Sequence, residues 1–292
     1  MSPAPRRRVL AGRALRTLVG PAGLLALLPL LPATAGEGLR IAFVEAPAGA
    51  TESAGRDLGG TILAGRYPRG ARLVIADLDD IGATRRSVSE GFTSAADPAF
   101  SLDGKGLLFA GCRAPGEPLQ IWELGADFTR AVPLARCDAD CVRPVPLPGG
   151  RIVFASLLAG EREEEGDRLS FSLFQWGRHL ETPERLTFNP SSDFDPALLP
   201  DGRIAYSSWQ HVGSHRPPRG TVALMLVNSD GTGVFPFTGN HRGPWLKRAA
   251  APIGGGRTAL IRADRFTGLG AGELVATSLD DPFAPYEILM PA

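Results

Sequence analysis

The sequence lacks the short motifs that mark common catalytic machinery. It contains no GxSxG elbow of a serine hydrolase, no P-loop, no HExxH zinc motif, and no GxGxxG placed between a strand and a helix. The glycine run Gly254–Gly256 falls in a hairpin with no helix after it, so it offers no helix N-terminus to a phosphate. These absences favour a non-enzymatic role, although motifs alone leave an enzyme open.

A net charge is also missing, since 31 Lys and Arg residues balance 31 Asp and Glu residues. The balance shifts when the N-terminus is set aside, because the first 35 residues hold five arginines and no acid. The remaining chain is mildly acidic, which excludes the basic surface that a nucleic acid requires. The arginines concerned are Arg6, Arg7, Arg8, Arg13 and Arg16.

Long apolar runs are absent except for one near the N-terminus, from Leu18 to Leu31. A basic region precedes it and small residues at Ala33 and Ala35 follow it, which is the layout of a secretory signal peptide cleaved after Ala35. A membrane anchor is the alternative, but the run is short and broken by prolines. We therefore expect a signal peptide over residues 1–35, a domain over residues 36–292, and a periplasmic or secreted protein with no membrane span after cleavage.

The export route stays open at this point. Arg6, Arg7 and Arg8 are followed by Val9 and Leu10, an arrangement that approximates the twin-arginine signal. Three arginines are equally typical of an ordinary Sec signal.

Cysteine is scarce, with three residues in 292. An oxidising compartment would allow one disulfide and leave one thiol over. Cys137 and Cys141 flank the short loop CDADC and are the first choice for a pair, and Cys112 with either of them is the second.

Helical periodicity fails after the N-terminus because 36 Gly and 26 Pro interrupt the chain. A repeat replaces it, in which a strand of small and apolar residues, a Pro, Asp or Gly turn, and a strongly apolar strand follow one another. The turn glycines are 46, 52 and 54 residues apart along the chain. The four copies are Asp97–Gly111, Cys141–Ser156, Asp193–Trp209 and Trp245–Asp264, with turns at Gly104, Gly150, Gly202 and Gly256.

Further strands complete each repeat. A third strand follows every hairpin, and a weaker fourth strand is visible at Glu184–Phe188 and Val234–Asn240. Four antiparallel strands per repeat predict an all-β fold, a β-propeller of about five four-stranded blades. Gly38–Ala46 and Ala71–Leu78 resemble the second and third strands of a first blade without its innermost strand. A six-bladed or open ring is possible, the final strand near Tyr286 could help to close the ring, and a β-sandwich is the alternative fold.

The segments DPAFSLDGKGLLF and DFDPALLPDGRIAYSS resemble the Asp-Pro, Asp-Gly repeat of TolB-like β-propellers. From IAFVEAP onward, the order and spacing are similar to the propeller region of hydrazine synthase alpha-subunit-like proteins. The resemblance implies the fold, a periplasmic setting and loops available for binding. Covalent haem attachment needs CxxCH, whereas Cys137 and Cys141 are spaced CxxxC and followed by Val142, so we expect no haem here.

Three histidines on neighbouring loops are candidate metal ligands, because neutral imidazole binds zinc or copper. They are His211, His215 and His241. A solvated polar loop explains the same residues, so no cofactor is predicted and a divalent metal remains possible.

Three aspartates at inner strands are candidate ligand-binding residues, namely Asp97, Asp193 and Asp195. Carboxylates that converge on a central channel could hold a cation or a basic group of a partner. The alternative is structural, because an Asp before Pro accepts backbone hydrogen bonds and fixes the entry of a strand.

Two hypotheses about function follow. The first is a non-catalytic scaffold that binds a periplasmic protein or small ligand through loops on one face. The second is a metal-dependent enzyme, or an accessory subunit of a periplasmic redox complex similar to hydrazine synthase.

Overall fold

Antiparallel sheets account for nearly all the regular structure of the protein. The structure is a computed structural model that describes residues 38–50, 54–58, 61–63, 65–135, 137–164, 167–210, 220–238, 246–263 and 272–291. Within these ranges the chain forms nineteen strands and one α-helix, α1 (Ile81–Thr84). None of the helices there is long and apolar enough to cross a bilayer. The all-β class predicted from the sequence is confirmed.

The first three sheets follow one another along the chain, and each is built from consecutive antiparallel strands. The first sheet has three strands, and the second and third have four each. The first sheet contains β1 (Arg40–Glu45), β2 (Arg72–Asp77) and β3 (Arg86–Ser87). The second contains β4 (Ser94–Phe100), β5 (Leu107–Cys112), β6 (Gln120–Leu124) and β7 (Ala131–Ala135), and the third contains β8 (Cys141–Leu147), β9 (Arg151–Ser156), β10 (Ser172–Gly177) and β11 (Glu184–Arg185).

The fourth and fifth sheets repeat the four-stranded pattern and are joined by one parallel residue pair, Val222 with Leu246. The fourth sheet contains β12 (Asp193–Leu198), β13 (Ile204–Gln210), β14 (Thr221–Val227) and β15 (Phe235–Pro236). The fifth contains β16 (Leu246–Gly254), β17 (Arg257–Ala263), β18 (Glu273–Ser278) and β19 (Glu287–Met290).

The turn glycines of the repeats have the left-handed backbone conformation that tight hairpin turns use. Gly104, Gly150, Gly202 and Gly256 have φ of 70°, 72°, 87° and 66°. Glycine adopts this left-handed region without the steric cost that a Cβ brings. Each glycine lies between the first two strands of its sheet, so the predicted hairpins are confirmed.

The first and the last strands of the chain occupy different positions in their sheets. In the first sheet, β1 and β2 match the strands predicted as second and third, and no strand lies inside β1 within the described residues. The sequence allowed the final strand a part in closing the ring. Within the described residues, β19 pairs with β18 and forms the outer edge of the fifth sheet.

Apolar side chains pack the sheets against one another in sequence order. Leu73 and Ile75 of the first sheet share a cluster with Leu107 and Phe109 of the second. A larger cluster joins the second, third and fourth sheets, and it also includes Leu246 of the fifth sheet, with Val44 of the first packed against it. A third cluster joins the fourth and fifth sheets. Each sheet therefore shares buried apolar contacts with the next sheet along the chain, which is how blades of a repeat fold are stabilised.

The first strands of the second to fifth sheets, β4, β8, β12 and β16, lie side by side, and we call them the inner strands. Each contains a register shift against its partner, and at that shift one residue has φ between 51° and 57°. Non-glycine residues rarely adopt positive φ, so this is a repeated bulge with a defined geometry. The bulge residues are Asp97, Arg143, Asp195 and Ala249.

Ala249 provides a test of the bulge, because its φ of 54° costs an L-residue free energy that glycine avoids. We expect Ala249→Gly to raise the free energy of unfolding by about 1 kcal/mol. The neighbouring control, Ala250→Gly, changes a buried residue that does not have positive φ, and should lower it by about 1 kcal/mol. Urea denaturation measures both values. A loss of stability of the same size in both variants would show that position 249 is not left-handed.

Candidate functional site

The carboxylate of Asp195 is the most heavily bonded group among the inner strands. Its side chain is fully buried. Arg66 donates from Nη1 to Oδ1 at 2.7 Å and from Nη2 to Oδ2 at 3.3 Å. Arg143 Nε lies 3.0 Å from Oδ1, and Arg248 Nη1 lies 3.5 Å from Oδ2. A single buried acid therefore holds arginines from three separate parts of the chain.

Arg143 extends this network to Asp97. Its Nη1 lies 3.3 Å from Asp97 Oδ1, and its backbone N–H donates to Asp97 Oδ2 at 3.0 Å. Arg143 is the bulge residue of β8, and it stands between the bulge aspartates of β4 and β12. The inner strands β4, β8 and β12 are thus connected through an acid, a base and an acid in turn.

The charged groups of the network stabilise one another in their ionised forms. Burial alone would neutralise Asp195, but Arg66 and Arg143 lower the pKa of its carboxyl below the ordinary value. Burial likewise opposes the charge on Arg143, and Asp195 and Asp97 outweigh it and raise the pKa of the guanidinium. Both groups are therefore ionised, and removing either would leave a buried charge without one of its partners.

The chain between β1 and β2 supplies the remaining members of the network. We call residues 54–58, 61–63 and 65–67 the central segment. Its side chains Leu58, Leu63 and Tyr67 are buried in the cluster that joins the second, third and fourth sheets. The Tyr67 hydroxyl donates to Asp97 Oδ2 at 2.7 Å, and burial followed by the charge of Asp97 raises the pKa of the phenol well above its usual value. The central segment therefore covers the inner strands from one end.

A second carboxylate, Asp140, fixes the beginning of the central segment. It accepts backbone N–H groups from Asp57 at 2.7 Å and from Leu119 at 2.6 Å. A Cβ at Gly55 would lie 2.5 Å from Asp140 Oδ1, so only glycine allows this approach. Burial raises the pKa of the Asp140 carboxyl, and these backbone donors oppose the shift.

A cleft of about 330 Å³ opens between the third and fourth sheets. One wall is the connection that leads from β11 to β12, and the other is the face of the fourth sheet. The cleft is lined by residues 186–189, Asp193, Tyr206, Ser208, Gln210, Met225, Gly231 and Val234.

Asp193 is the acid of this cleft. Its Oδ1 accepts the Ser208 hydroxyl at 2.6 Å and the Asn189 Nδ2 amide at 3.0 Å. Burial raises the pKa of the Asp193 carboxyl to about 6, against the opposing effect of these donors and of Arg185. Within the described residues no arginine or lysine pairs with it at ion-pair distance.

Tyr206 is buried beside Asp193 and also lines the cleft. Its hydroxyl has no hydrogen-bond partner among the residues that the structure describes, and burial followed by the charge of Asp193 raises the pKa of its phenol. Nearby, Gln210 Nε2 lies 3.7 Å from the Met225 sulfur. The cleft thus combines one carboxylate and one open hydroxyl with apolar walls.

Comparison with known proteins identifies the fold. The chain is 27% identical, over 271 residues, to hydrazine synthase subunit alpha of Kuenenia stuttgartiensis, a match that covers 74% of this chain and 33% of that protein. The solved Kuenenia stuttgartiensis hydrazine synthase superposes with a TM-score of 0.71 at 24% identity, over 87% of this chain and 39% of that one. TolB from Acinetobacter baumannii superposes with a TM-score of 0.50 at 17% identity, over 87% of this chain and 51% of that one. The chain has a TolB-like β-propeller fold.

Two further facts bound this result. No family model matches the chain. The propeller described here spans about a third of the length of the hydrazine synthase subunit to which it is similar.

The three predicted aspartates do not form one site in the propeller. Asp97 and Asp195 come together through Arg143, and they bind basic groups that belong to their own chain. Asp193 faces the cleft instead, with Ser208 and Asn189. A ligand-binding role for these residues stays a prediction.

The other predicted residues have different outcomes. His211, His215 and His241 lie outside the described residues. Cys112, Cys137 and Cys141 are free thiols in this structure. Burial, and after it a hydrogen bond with Cys137, raises the pKa of the Cys141 thiol, which places these two thiols next to each other. The disulfide between Cys137 and Cys141 remains a prediction.

The sequence analysis missed Arg143 and Arg66. Arg143 precedes Pro144 at the point of the repeat where the neighbouring copies have Asp-Pro, so the phase of the repeats could have identified it. Arg66 lies outside every repeat, and no pattern marks it as the partner of Asp195. Tyr206 was read only as part of an apolar strand.

The raised pKa of Asp193 predicts how stability depends on pH. The folded pKa of about 6 lies above the ordinary 3.8, so the folded state retains a proton that the unfolded state releases as the pH rises from 4 to 6. The wild type should therefore lose about 2 kcal/mol relative to Asp193→Asn between pH 4.5 and pH 7. Urea denaturation of both proteins at the two pH values measures the difference. An equal pH dependence in both would contradict the raised pKa.

Proposed function

We propose that this propeller is an exported, non-catalytic binding scaffold that works in the periplasm as one member of a larger protein assembly. The observation that carries the proposal is the similarity to hydrazine synthase subunit alpha, a protein that is itself a subunit by name. This chain spans only about a third of that relative. We therefore propose that it shares the binding scaffold of that protein, and we propose no shared catalytic activity.

The proposed ring has five blades, of which the first is incomplete. Five sheets follow one another along the chain, and four of them have four strands. Their apolar clusters connect each sheet with the next.

Export is proposed from the N-terminal residues. The basic start, the apolar run and the small residues before position 36 together favour cleavage after Ala35 and delivery to the periplasm. Both the Sec and the twin-arginine route are compatible with them.

The surface proposed to dock a partner protein is an apolar rim at the mouth of the cleft, formed by Phe188, Val234 and Phe235. These side chains are 71%, 52% and 40% exposed. Arg185 lies 4.6 Å from the ring centre of Phe188, and Arg203 lies 5.3 Å from that of Phe235. Exposed aromatic rings combined with arginine are typical of the residues that stabilise protein interfaces.

Purification of the tagged chain from its native host tests the proposal. We expect a periplasmic protein that begins at Gly36 and that elutes with a second protein in fixed proportion. The variant Phe188→Ser with Val234→Ser should lose that partner. The control Phe283→Ser, which changes a residue 77% exposed in the turn between β18 and β19, should keep it.

Two results would contradict the proposal. One is a cytoplasmic protein that keeps residues 1–35. The other is a chain that elutes alone from the host at every ionic strength tested.

A further inference from the structure

The cleft between the third and fourth sheets has the features of a small-molecule site, separate from the network of the inner strands. Its volume of about 330 Å³ lies within the range of pockets that hold small ligands. Most of its lining is apolar, and a few polar groups converge at one place. This combination is how ligand pockets achieve both affinity and orientation.

The polar groups of the cleft are a charged acceptor and an open hydroxyl. The Asp193 carboxylate receives hydrogen bonds from three neutral side chains, from Ser208 Oγ and Asn189 Nδ2 on Oδ1 and from Thr187. Neutral donors leave the negative charge of the carboxylate without a cation. The nearby Arg185 is occupied, because it donates to both oxygens of Glu161 at 2.7 and 2.6 Å.

Tyr206 provides the second polar contact. It is 2% exposed, and its hydroxyl makes no hydrogen bond to any residue that the structure describes. The residue lines the cleft, so a ligand there can bond to the hydroxyl. A phenol oxygen accepts an N–H, and a carboxylate accepts one more strongly when the donor is charged.

We propose that this cleft binds a small organic amine, with its protonated nitrogen between the Asp193 carboxylate and the Tyr206 hydroxyl and its apolar part against Met225 and Phe188. The ammonium group would supply the cation that Asp193 lacks. The thioether of Met225 and the rings of Tyr206 and Phe188 suit an aromatic or alkyl tail.

The inference goes beyond the proposed function, since it concerns a ligand of the propeller alone and requires no partner. Calorimetric titration of the purified full chain at pH 7.5 tests it with three probes. They are 2-phenylethylammonium, n-butylammonium and the neutral isostere 2-phenylethanol. We expect both amines to bind, and 2-phenylethanol to bind at least about tenfold more weakly than 2-phenylethylammonium, because a hydrogen bond to a charged group is worth about 1.5–3 kcal/mol.

Two isosteric variants and one control locate the site. Asp193→Asn keeps the shape and the acceptor for Ser208 and should weaken amine binding by about tenfold or more. Tyr206→Phe should weaken it by about threefold to tenfold. The control Asp201→Asn removes an exposed carboxylate from the turn of the same hairpin and should leave the affinity unchanged.

The inference is overturned if the wild type binds neither amine at millimolar concentration, if 2-phenylethanol binds as tightly as 2-phenylethylammonium, or if Asp193→Asn binds like the wild type. Circular dichroism and the urea midpoint of each variant confirm that it is folded before titration. If the amines do not bind but a partner protein still elutes with the wild type from the host, only this inference is wrong. If the amines bind but no partner protein elutes with the wild type, only the docking proposal is wrong.

Discussion

The buried carboxylate of Asp195 is the interaction on which the arrangement of the inner strands depends. It receives Arg66 from the central segment, Arg143 from β8 and Arg248 from β16. A buried charge is stabilising only when its partners are complete. The left-handed bulges of β4, β8 and β12 accompany this arrangement, because the bulge residues Asp97, Arg143 and Asp195 contact one another across neighbouring inner strands.

This network has a consequence for where the propeller can bind other molecules. Asp97 and Asp195 face the region where a propeller offers a central channel, but arginines and a tyrosine of the same chain already occupy their oxygens. Asp193, only two residues from Asp195, has no arginine or lysine at ion-pair distance among the described residues, and it lines the cleft. The proposed ligand site therefore lies at the edge between neighbouring sheets, where the walls come from different repeats.

The sequence predicts the local elements well and the long-range pairs poorly. The hairpins follow from glycines at a regular spacing, and all four have a left-handed backbone conformation. The sequence also suggests that an Asp before Pro accepts a backbone hydrogen bond, and Asp97 does accept one from the Arg143 backbone N–H. The pair Arg66 and Asp195 could not be predicted, because 129 residues separate them and no repeat includes Arg66. The cleft was missed for the same reason, since its walls meet only after the sheets have packed.

The most direct test of this account is a double-mutant cycle between Arg66 and Asp195. The free energy of unfolding is measured in urea for the wild type, Arg66→Gln, Asp195→Asn and the double variant. Because the pair is buried and doubly hydrogen-bonded, the account predicts a coupling energy of about 2 kcal/mol or more. A coupling energy near zero would show that the central segment is not held by Asp195, and the account of the inner strands would be wrong.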